Sequence, residues 1–273
     1  MDGANARTEA HPFMVPSLHF AGLRFDPVTL EETLKALDER PGFSPFSLFV
    51  TPNAEHSYFR RHDAEFDEAS ENCWLSTCDS RIVMKLARLA GMDLPFAPGA
   101  YVIRDMFTDI IHPDDALTVI GSTLQTIDLL RTRYGLTRIH QHIPPMGAIN
   151  DPKAVRDIID FVADHPARFV FICLGPPQSE KLGLRIQKDG RATGIGMCVG
   201  SSLTTLAGIT PPAPDFMERN SLVWLYRLAR EPRRLWRRYL VRGMSCIGPG
   251  LRDIIRFRLG LGSANTGPAN KGG

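Results

Sequence analysis

The sequence predicts an α/β protein with a largely parallel sheet. Three observations predict it. Short, largely apolar runs recur, such as residues 46–51 (FSLFVT) and the fully apolar 169–174 (FVFICL); strands buried on both faces read this way. Segments with helical spacing lie between them, which suits βα units. Each run ends on residues that turn the chain, as strand ends at a sheet edge do.

The elements follow in order. The run 46–51 stops at Pro52-Asn53, and residues 54–69 then read as one helix. Residues 72–77 form a second strand that ends at Cys78-Asp79. Residues 81–90 (RIVMKLARLA) carry helical spacing. Residues 117–120 run into Gly121-Ser122, and 123–134 read as a helix. Residues 138–141 lead into His142-Ile143-Pro144-Pro145. Residues 151–164 form a helix with Asn150 as its cap. The run 169–174 ends at Gly175-Pro176-Pro177. Residues 194–199 (GIGMCV) make a last strand before Gly200-Ser201-Ser202.

In such sheets ligands bind beyond the carboxyl ends of the strands. The residues just named are small, polar or turn-forming, as an active-site rim requires. Turn chemistry alone also places Gly and Pro there. The chain has no G-x-G-x-x-G, P-loop or G-x-S-x-G motif. Spacing therefore supports a ligand-binding α/β domain and leaves its chemistry open.

The charge is concentrated at one end. Residues 220–273 hold ten Arg and one Lys against Glu231 and Asp253, a net of +9 in a chain whose total is +2. Residues 1–219 thus carry −7. Within 222–240, apolar residues recur at 222, 225, 229, 235/236 and 239/240 with arginines between them. That is an amphipathic helix pair broken at Pro232. The basic run continues through Arg242, Arg252, Arg256 and Arg258, with Ile254, Ile255 and Phe257 interleaved. Such a segment suits an anionic membrane surface. The acidic body and the absence of a nucleic-acid motif argue against DNA or RNA.

At 273 residues the chain is long enough for a sizeable core. No run of ~18 apolar residues is present, so no bilayer span is expected. The N-terminus, with Asp2 and Glu9, does not read as a signal peptide. Cys73, Cys78, Cys173, Cys198 and Cys246 are scattered and read as reduced core thiols. The C-x4-C pair Cys73/Cys78 lacks a second Cys/His pair, which disfavours zinc. The expected division is a core at 1–219, a basic appendage at 220–260 and a disordered tail at 261–273.

Several motifs point further. They are Thr51-Pro52-Asn53-Ala54-Glu55-His56 with Asp79 following; Gly175-Pro176-Pro177-Gln178-Ser179-Glu180-Lys181; Gly200 through Leu206-Ala207-Gly208; and Trp224-Leu225-Tyr226-Arg227-Leu228 with Glu231-Pro232-Arg233-Arg234-Leu235-Trp236-Arg237-Arg238-Tyr239. Together they resemble the WecG/TagA/CpsF glycosyltransferase family across residues 20–242.

The resemblance implies a Rossmann-like α/β core with a C-terminal appendage. It also implies inverting transfer of a sugar from a UDP-sugar to a polyprenyl-pyrophosphate-linked saccharide during cell-surface polysaccharide synthesis. This would occur at the cytoplasmic face of the membrane. No cofactor and no metal are expected; a homo-oligomer is left open. Asp79 matches the family's acidic position and is the candidate base for the acceptor hydroxyl. An Asp after a strand is otherwise most simply a helix N-cap. Thr51, Asn53, Gly121, Pro145, Gly175, Glu180 and Gly200 are the candidate substrate-binding residues. Arg227, Arg233, Arg234, Arg237 and Arg238 are the candidate membrane or pyrophosphate contacts, and helix N-termini would share the departing UDP's charge. His140 and His142 are not ranked as catalytic.

The chain departs from the family pattern at several positions. The family's Lys and Gln fall at Gln178 and Ser179, its Asp at Thr204, a basic residue at Pro212 and a Glu at Val223. The Arg of an R-x-x-G segment is missing around 96–99, where Arg104 is a candidate substitute. Ser80-Arg81 follows Asp79 where the family usually has Gly. These changes admit an enzyme with a reshaped pocket, or an impaired member that acts by binding sugar nucleotide or lipid. Another nucleotide-dependent enzyme, such as an oxidoreductase, is disfavoured by the missing dinucleotide fingerprint.

Overall fold

A hairpin that the sequence pattern did not reveal comes first. The computed structural model describes residues 16–211, 213–214, 216–217 and 222–261. β1 (Leu18–Phe20) and β2 (Leu23–Phe25) pair antiparallel across Ala21-Gly22. Both turn residues have positive φ, 55° and 72°, the geometry of a tight hairpin turn. Next comes α1 (Leu30–Glu39), also unforeseen, whose start is fixed by a capping box between Thr29 and Glu32.

The six expected strands form one all-parallel sheet. They are β3 (Ser47–Val50), β4 (Leu75–Ser76), β5 (Ala116–Gly121), β6 (Arg138–His142), β7 (Phe169–Cys173) and β8 (Ile195–Cys198). Their spatial order is β4-β3-β8-β7-β5-β6. The α/β class with a parallel sheet is therefore as read from the sequence.

Helices cover both faces. On one lie α1, α5 (Gly99–Asp109), α6 (Leu124–Tyr134) and α9 (Ser202–Leu206). They supply Leu37, Ile103, Met106, Ile127 and Leu203 to a cluster with Phe49, Phe169 and Phe171. On the other lie α3 (Ala64–Glu71), α7 (Pro152–Asp164) and α8 (Gln178–Asp189). They bring Ala69, Ile158 and Leu182 against Leu48, Val50, Val170 and Ile172. Alternate residues of β7 thus face opposite clusters, as period-two side chains must.

Three boundaries differ from expectation. Residues 54–69 are two helices, α2 (His56–His62) and α3. Asp63 separates them because it is extended, with φ −140°, and its carboxylate accepts the Phe66 amide. The cap of α7 is Asp151, whose carboxylate accepts the Lys153 amide at 2.9 Å; Asn150 ends a short 3-10 turn. Residues 72–77 contribute only the two-residue β4.

The basic C-terminal segment is helical and packed onto the core. It comprises α10 (Val223–Arg230), α11 (Pro232–Trp236), a π-helical turn Arg237–Arg242, a 3-10 turn Gly243–Cys246 and α12 (Ile247–Arg258). Pro232 opens α11, where its missing N–H costs nothing. A third cluster joins Phe20, Leu23 and Phe25 of the hairpin to Val83 and Ala87 of α4 (Arg81–Leu89). Cys246, Ile254 and Phe257 complete it from the C-terminal segment. Asp253 fixes the register by accepting the Ala21 amide at 2.8 Å. Among the described residues no helix is long and apolar enough to cross a membrane. The tail beyond residue 261 lies outside the described residues.

Candidate active site

Because every strand runs in the same direction, all six carboxyl ends meet at one edge of the sheet. Asp79 follows β4 and Thr51 follows the adjacent β3. Gly200 follows β8, the next strand over. Gly175 and Gly121 lie farther along, after β7 and within the end of β5. Pro145, exposed, follows β6 at the far edge. Four inter-strand steps separate β6 from β3, roughly 19 Å at ~4.8 Å per step. The fold thus gathers Thr51, Asn53 and Asp79 and sets Pro145 well apart from them.

The Asp79 backbone is fixed while its carboxylate is not engaged. Its N–H donates to Pro52 O at 3.0 Å, which joins the ends of β3 and β4. Its side chain does not cap α4: that role belongs to Ser80, whose hydroxyl accepts the Val83 amide at 3.3 Å. The carboxylate makes no hydrogen bond or ion pair among the described residues and stays partly exposed to solvent. The surrounding protein raises its pKa from 3.8 to about 6 by desolvation, against the opposing fields of the Arg227 and Arg238 guanidinium groups. A carboxyl that is free, oriented by its backbone and poised near neutrality suits a general base.

The loop after β3 is held by a chain of hydrogen bonds. Asn53 Oδ1 accepts the Glu55 amide at 3.0 Å in an Asx turn. The Asn53 amide donates to His56 Nδ1 at 3.2 Å. Nδ1 is therefore an acceptor, so the imidazole proton lies on Nε2. Nε2 faces Glu180 Oε1 at 3.4 Å. Both residues are buried, and Glu180 Oε2 has no partner among the described residues. Glu180 reaches this place because α8 lies close on β3: a Cβ at Gly183 would stand 2.3 Å from Leu48 Cδ2. Thr51 lies against the start of α5, where a Cβ at Gly99 would come within 2.9 Å of Thr51 Oγ1.

A second feature sits between β5 and β7. β5 leads through α6 to β6 on one side, and β7 leads through α8 to β8 on the other. Neighbouring strands whose connections diverge form the crevice where such sheets take ligands. Gly121 and Ser122 both have positive φ, 85° and 64°, and Gly175 has 78°. A non-glycine residue held in that region is worth explaining. The Ser122 hydroxyl is buried without a partner among the described residues.

The predicted arginines separate into groups. Arg227 and Arg238 act on Asp79. Arg233 and Arg237 are exposed, with the Arg237 guanidinium 5.3 Å from the Trp236 ring centroid. The Arg234 side chain lies outside the described residues. The His140 ring lies tilted against His165, with centroids 4.5 Å apart, and His142 against Phe161 at 5.2 Å, all beside the far strand β6 and away from Asp79. The cysteines are free, and burial pushes the Cys73, Cys78 and Cys173 thiols up to about 12.

Residues 18–258 match the family described as "Glycosyl transferase WecG/TagA/CpsF family". The chain belongs to that family. It is a glycosyltransferase by this membership, and a curated relative agrees. That relative is the N-acetylglucosaminyldiphosphoundecaprenol N-acetyl-beta-D-mannosaminyltransferase of Bacillus spizizenii, 25% identical over 216 residues. The match covers 75% of this chain and 77% of the relative.

The departures from the WecG/TagA/CpsF pattern now have physical settings. Ser179, at the family's Gln position, is buried and donates to Ile172 O at 3.1 Å. Its hydroxyl is thus committed to the fold. Arg104 pairs with Asp105 at 2.6 Å on the outside of α5. Arg81, of the Ser80-Arg81 pair that stands where the family usually has Gly, lies 4.3 Å over the Phe96 ring, and so a cation returns to the segment that lacks the family's Arg. Val223 opens α10, and Pro212 lies outside the described residues. Glu55 and His56 belong to the sequence motif after β3, and their roles emerge only from the packing around them. The signal was present: two ionisable residues directly after a strand end.

Proposed function

We propose that this glycosyltransferase moves a sugar from a UDP-sugar to a saccharide carried on a polyprenyl diphosphate, with inversion, in the synthesis of a cell-surface polymer. The observation that carries the reading is the free Asp79 carboxylate at the sheet edge, raised to about 6 beside Arg227 and Arg238. Asp79 takes the proton of the acceptor hydroxyl as that oxygen attacks the anomeric carbon. The bond to the UDP oxygen breaks on the opposite face of the sugar. The relative's name supports a diphosphate-linked acceptor; the donor nucleotide follows from the family resemblance.

The rim supplies the remaining roles. The crevice between Gly121-Ser122 and Gly175 receives the nucleotide, and the Ser122 hydroxyl finds its partner there. Gly200, on the intervening strand end, leaves room for the donor to extend toward Thr51 and Asp79. Developing charge on the leaving diphosphate is met by Arg227 and Arg238 and by helix N-termini, a scheme that requires no metal. Ser179 and Arg81 reshape the pocket relative to the family pattern and bear on the choice of sugar.

The protein works as a peripheral protein on the inner membrane face. Leu251 and Ile255 of α12 and Leu259 at its C-cap, all at least half exposed, follow one another at four-residue spacing, with Arg252, Arg256 and Arg258 beside them. Apolar side chains flanked by cations suit an anionic lipid surface.

A transfer assay tests the reading. Purified protein is mixed with polyprenyl-diphosphate sugars and a panel of UDP-sugars, with Asp79→Asn in parallel. UDP release that requires both acceptor and Asp79 supports it. UDP-sugar binding without release for every pair leaves the binding-protein alternative, which the loss of the Ser179 hydroxyl to the fold favours.

A further inference from the structure

Glu55 and His56 are consecutive, yet they serve opposite sides of the site. His56 faces Glu180 on α8. Glu55 faces the C-terminal segment, and both of its carboxylate oxygens are taken. Oε2 accepts from Arg238 Nε at 2.9 Å, and Oε1 accepts from Arg242 Nη1 at 2.7 Å. Glu55 is only 4% exposed, although it lies in a loop. A buried carboxylate needs such partners. They come from a π-helical turn, a conformation enriched at functional sites.

The two arginines differ in what else they touch. The Arg242 guanidinium lies 5.4 Å from the Phe59 ring centroid and stays on the α2 side. Arg238 is one of the two arginines that act on Asp79. Glu55 therefore stands behind Arg238 as its support.

Other contacts already anchor the C-terminal segment. Cys246 is fully buried, Asp253 accepts the Ala21 amide, and Arg61 donates to Ser245 O at 2.8 Å. These hold residues 245–258. None of them fixes residues 237–242. Glu55 does so by gripping Arg238 and Arg242 together.

We propose that Glu55 is a positioning residue for sugar transfer: its buried carboxylate fixes the π-helical turn Arg237–Arg242 and so holds Arg238 beside Asp79. Docking of the basic segment and assembly of the catalytic pair are then a single event, made at the loop that carries Asn53. The activity part of this inference rests on the transferase reading above; the docking part does not.

Glu55→Gln tests it, since it keeps the shape and removes the charge. Three results are expected. Turnover falls about 10- to 100-fold, the scale on which misplaced groups lower rates. The acid limb of the pH–rate profile moves upward, because the arginine that lowers the Asp79 pKa has withdrawn. Amide hydrogen exchange quickens over 237–242 while 247–258 and the sheet keep their protection. A purely structural role would lower the folded fraction without moving the acid limb. Unchanged exchange over 237–242, or an unmoved acid limb with that segment loosened, overturns the proposal. Should Glu55→Gln fail to fold, Arg242→Gln breaks the same carboxylate's contact from the more exposed side. It must show the same local exchange, and wild-type protection there overturns the proposal. Faster exchange in protein whose wild type transfers no sugar keeps the docking role of Glu55 and removes the transferase reading instead.

Discussion

Ser80 caps α4 by accepting the Val83 amide at 3.3 Å, and this spares the neighbouring Asp79 from that duty. The side chain at the cap position, just before a helix, is usually spent on a backbone amide, and in α4 that position belongs to Ser80. Here the hydroxyl takes the amide, and the carboxylate remains available at the sheet edge.

Asp79→Asn should lower kcat by about 10² to 10⁴, the usual contribution of a general base, with donor affinity kept. In the wild type, the rate should climb with pH through about 6, as the Asp79 carboxyl ionises. The pH–rate profile of kcat/KM, measured with saturating donor, checks both points. A profile flat from pH 5 to 8 would remove Asp79 as the base.

The same substitution should stabilise the fold at alkaline pH. The folded-state pKa is raised above the ordinary 3.8. The protonated form is therefore favoured by folding, and that stability is complete below about 3.8 and lost as pH rises through about 6. Ionised Asp79 then costs on the order of 2 kcal/mol, discounted for its partial exposure. At pH 8 the Asn variant should melt about 4–8 °C higher than wild type. At pH 4 the gap should shrink. Equal gaps at both pH values would contradict the desolvation account.

His56→Ala leaves the Asn53 amide and the buried Glu180 carboxylate without their shared partner. Stranding buried polar groups costs ~1–3 kcal/mol each, and a total of about 3 kcal/mol should appear in urea unfolding. Activity should fall with it, since Asn53 and the Thr51 loop lose their brace. A stability within ~0.5 kcal/mol of wild type would mean that the imidazole is not the connector.

Membrane docking is best tested by point changes on α12. Removing the C-terminal segment whole would expose Phe20, Leu23, Val83 and Ala87, which it covers. Leu251→Glu combined with Ile255→Glu alters two exposed side chains, 50% and 59% accessible. Each apolar side chain is worth ~1.5–3 kcal/mol on burial, so binding to anionic vesicles should drop more than 10-fold with Tm unchanged. Sedimentation with vesicles of mixed neutral and anionic lipid reads the result. Undiminished binding would move the docking surface elsewhere.

The six core strands were legible because buried parallel strands have few alternatives to a short apolar run. The hairpin 18–25 was not. Its strands are three residues each, too short to show a period, and the signal lies in the Ala21-Gly22 turn. The break between α2 and α3 was missed because the apolar spacing continues across Asp63. Only the cap geometry reveals that the helix restarts there.

By itself, the sequence determined the α/β class, the positions of the strand ends, the family, and the concentration of positive charge in the last quarter of the chain. These are local or compositional properties, written in residues close together along the chain. Only the tertiary structure decided which rim residues meet. Strand order brought Thr51 and Asp79 side by side and sent Pro145 to the far edge. It also brought Arg242 to Glu55, 187 residues away, and divided the arginines into those that act on Asp79 and those left in solvent. The physical reason is burial. A carboxylate such as Glu55 cannot leave water without partners, and which cations come within reach depends on how distant segments pack.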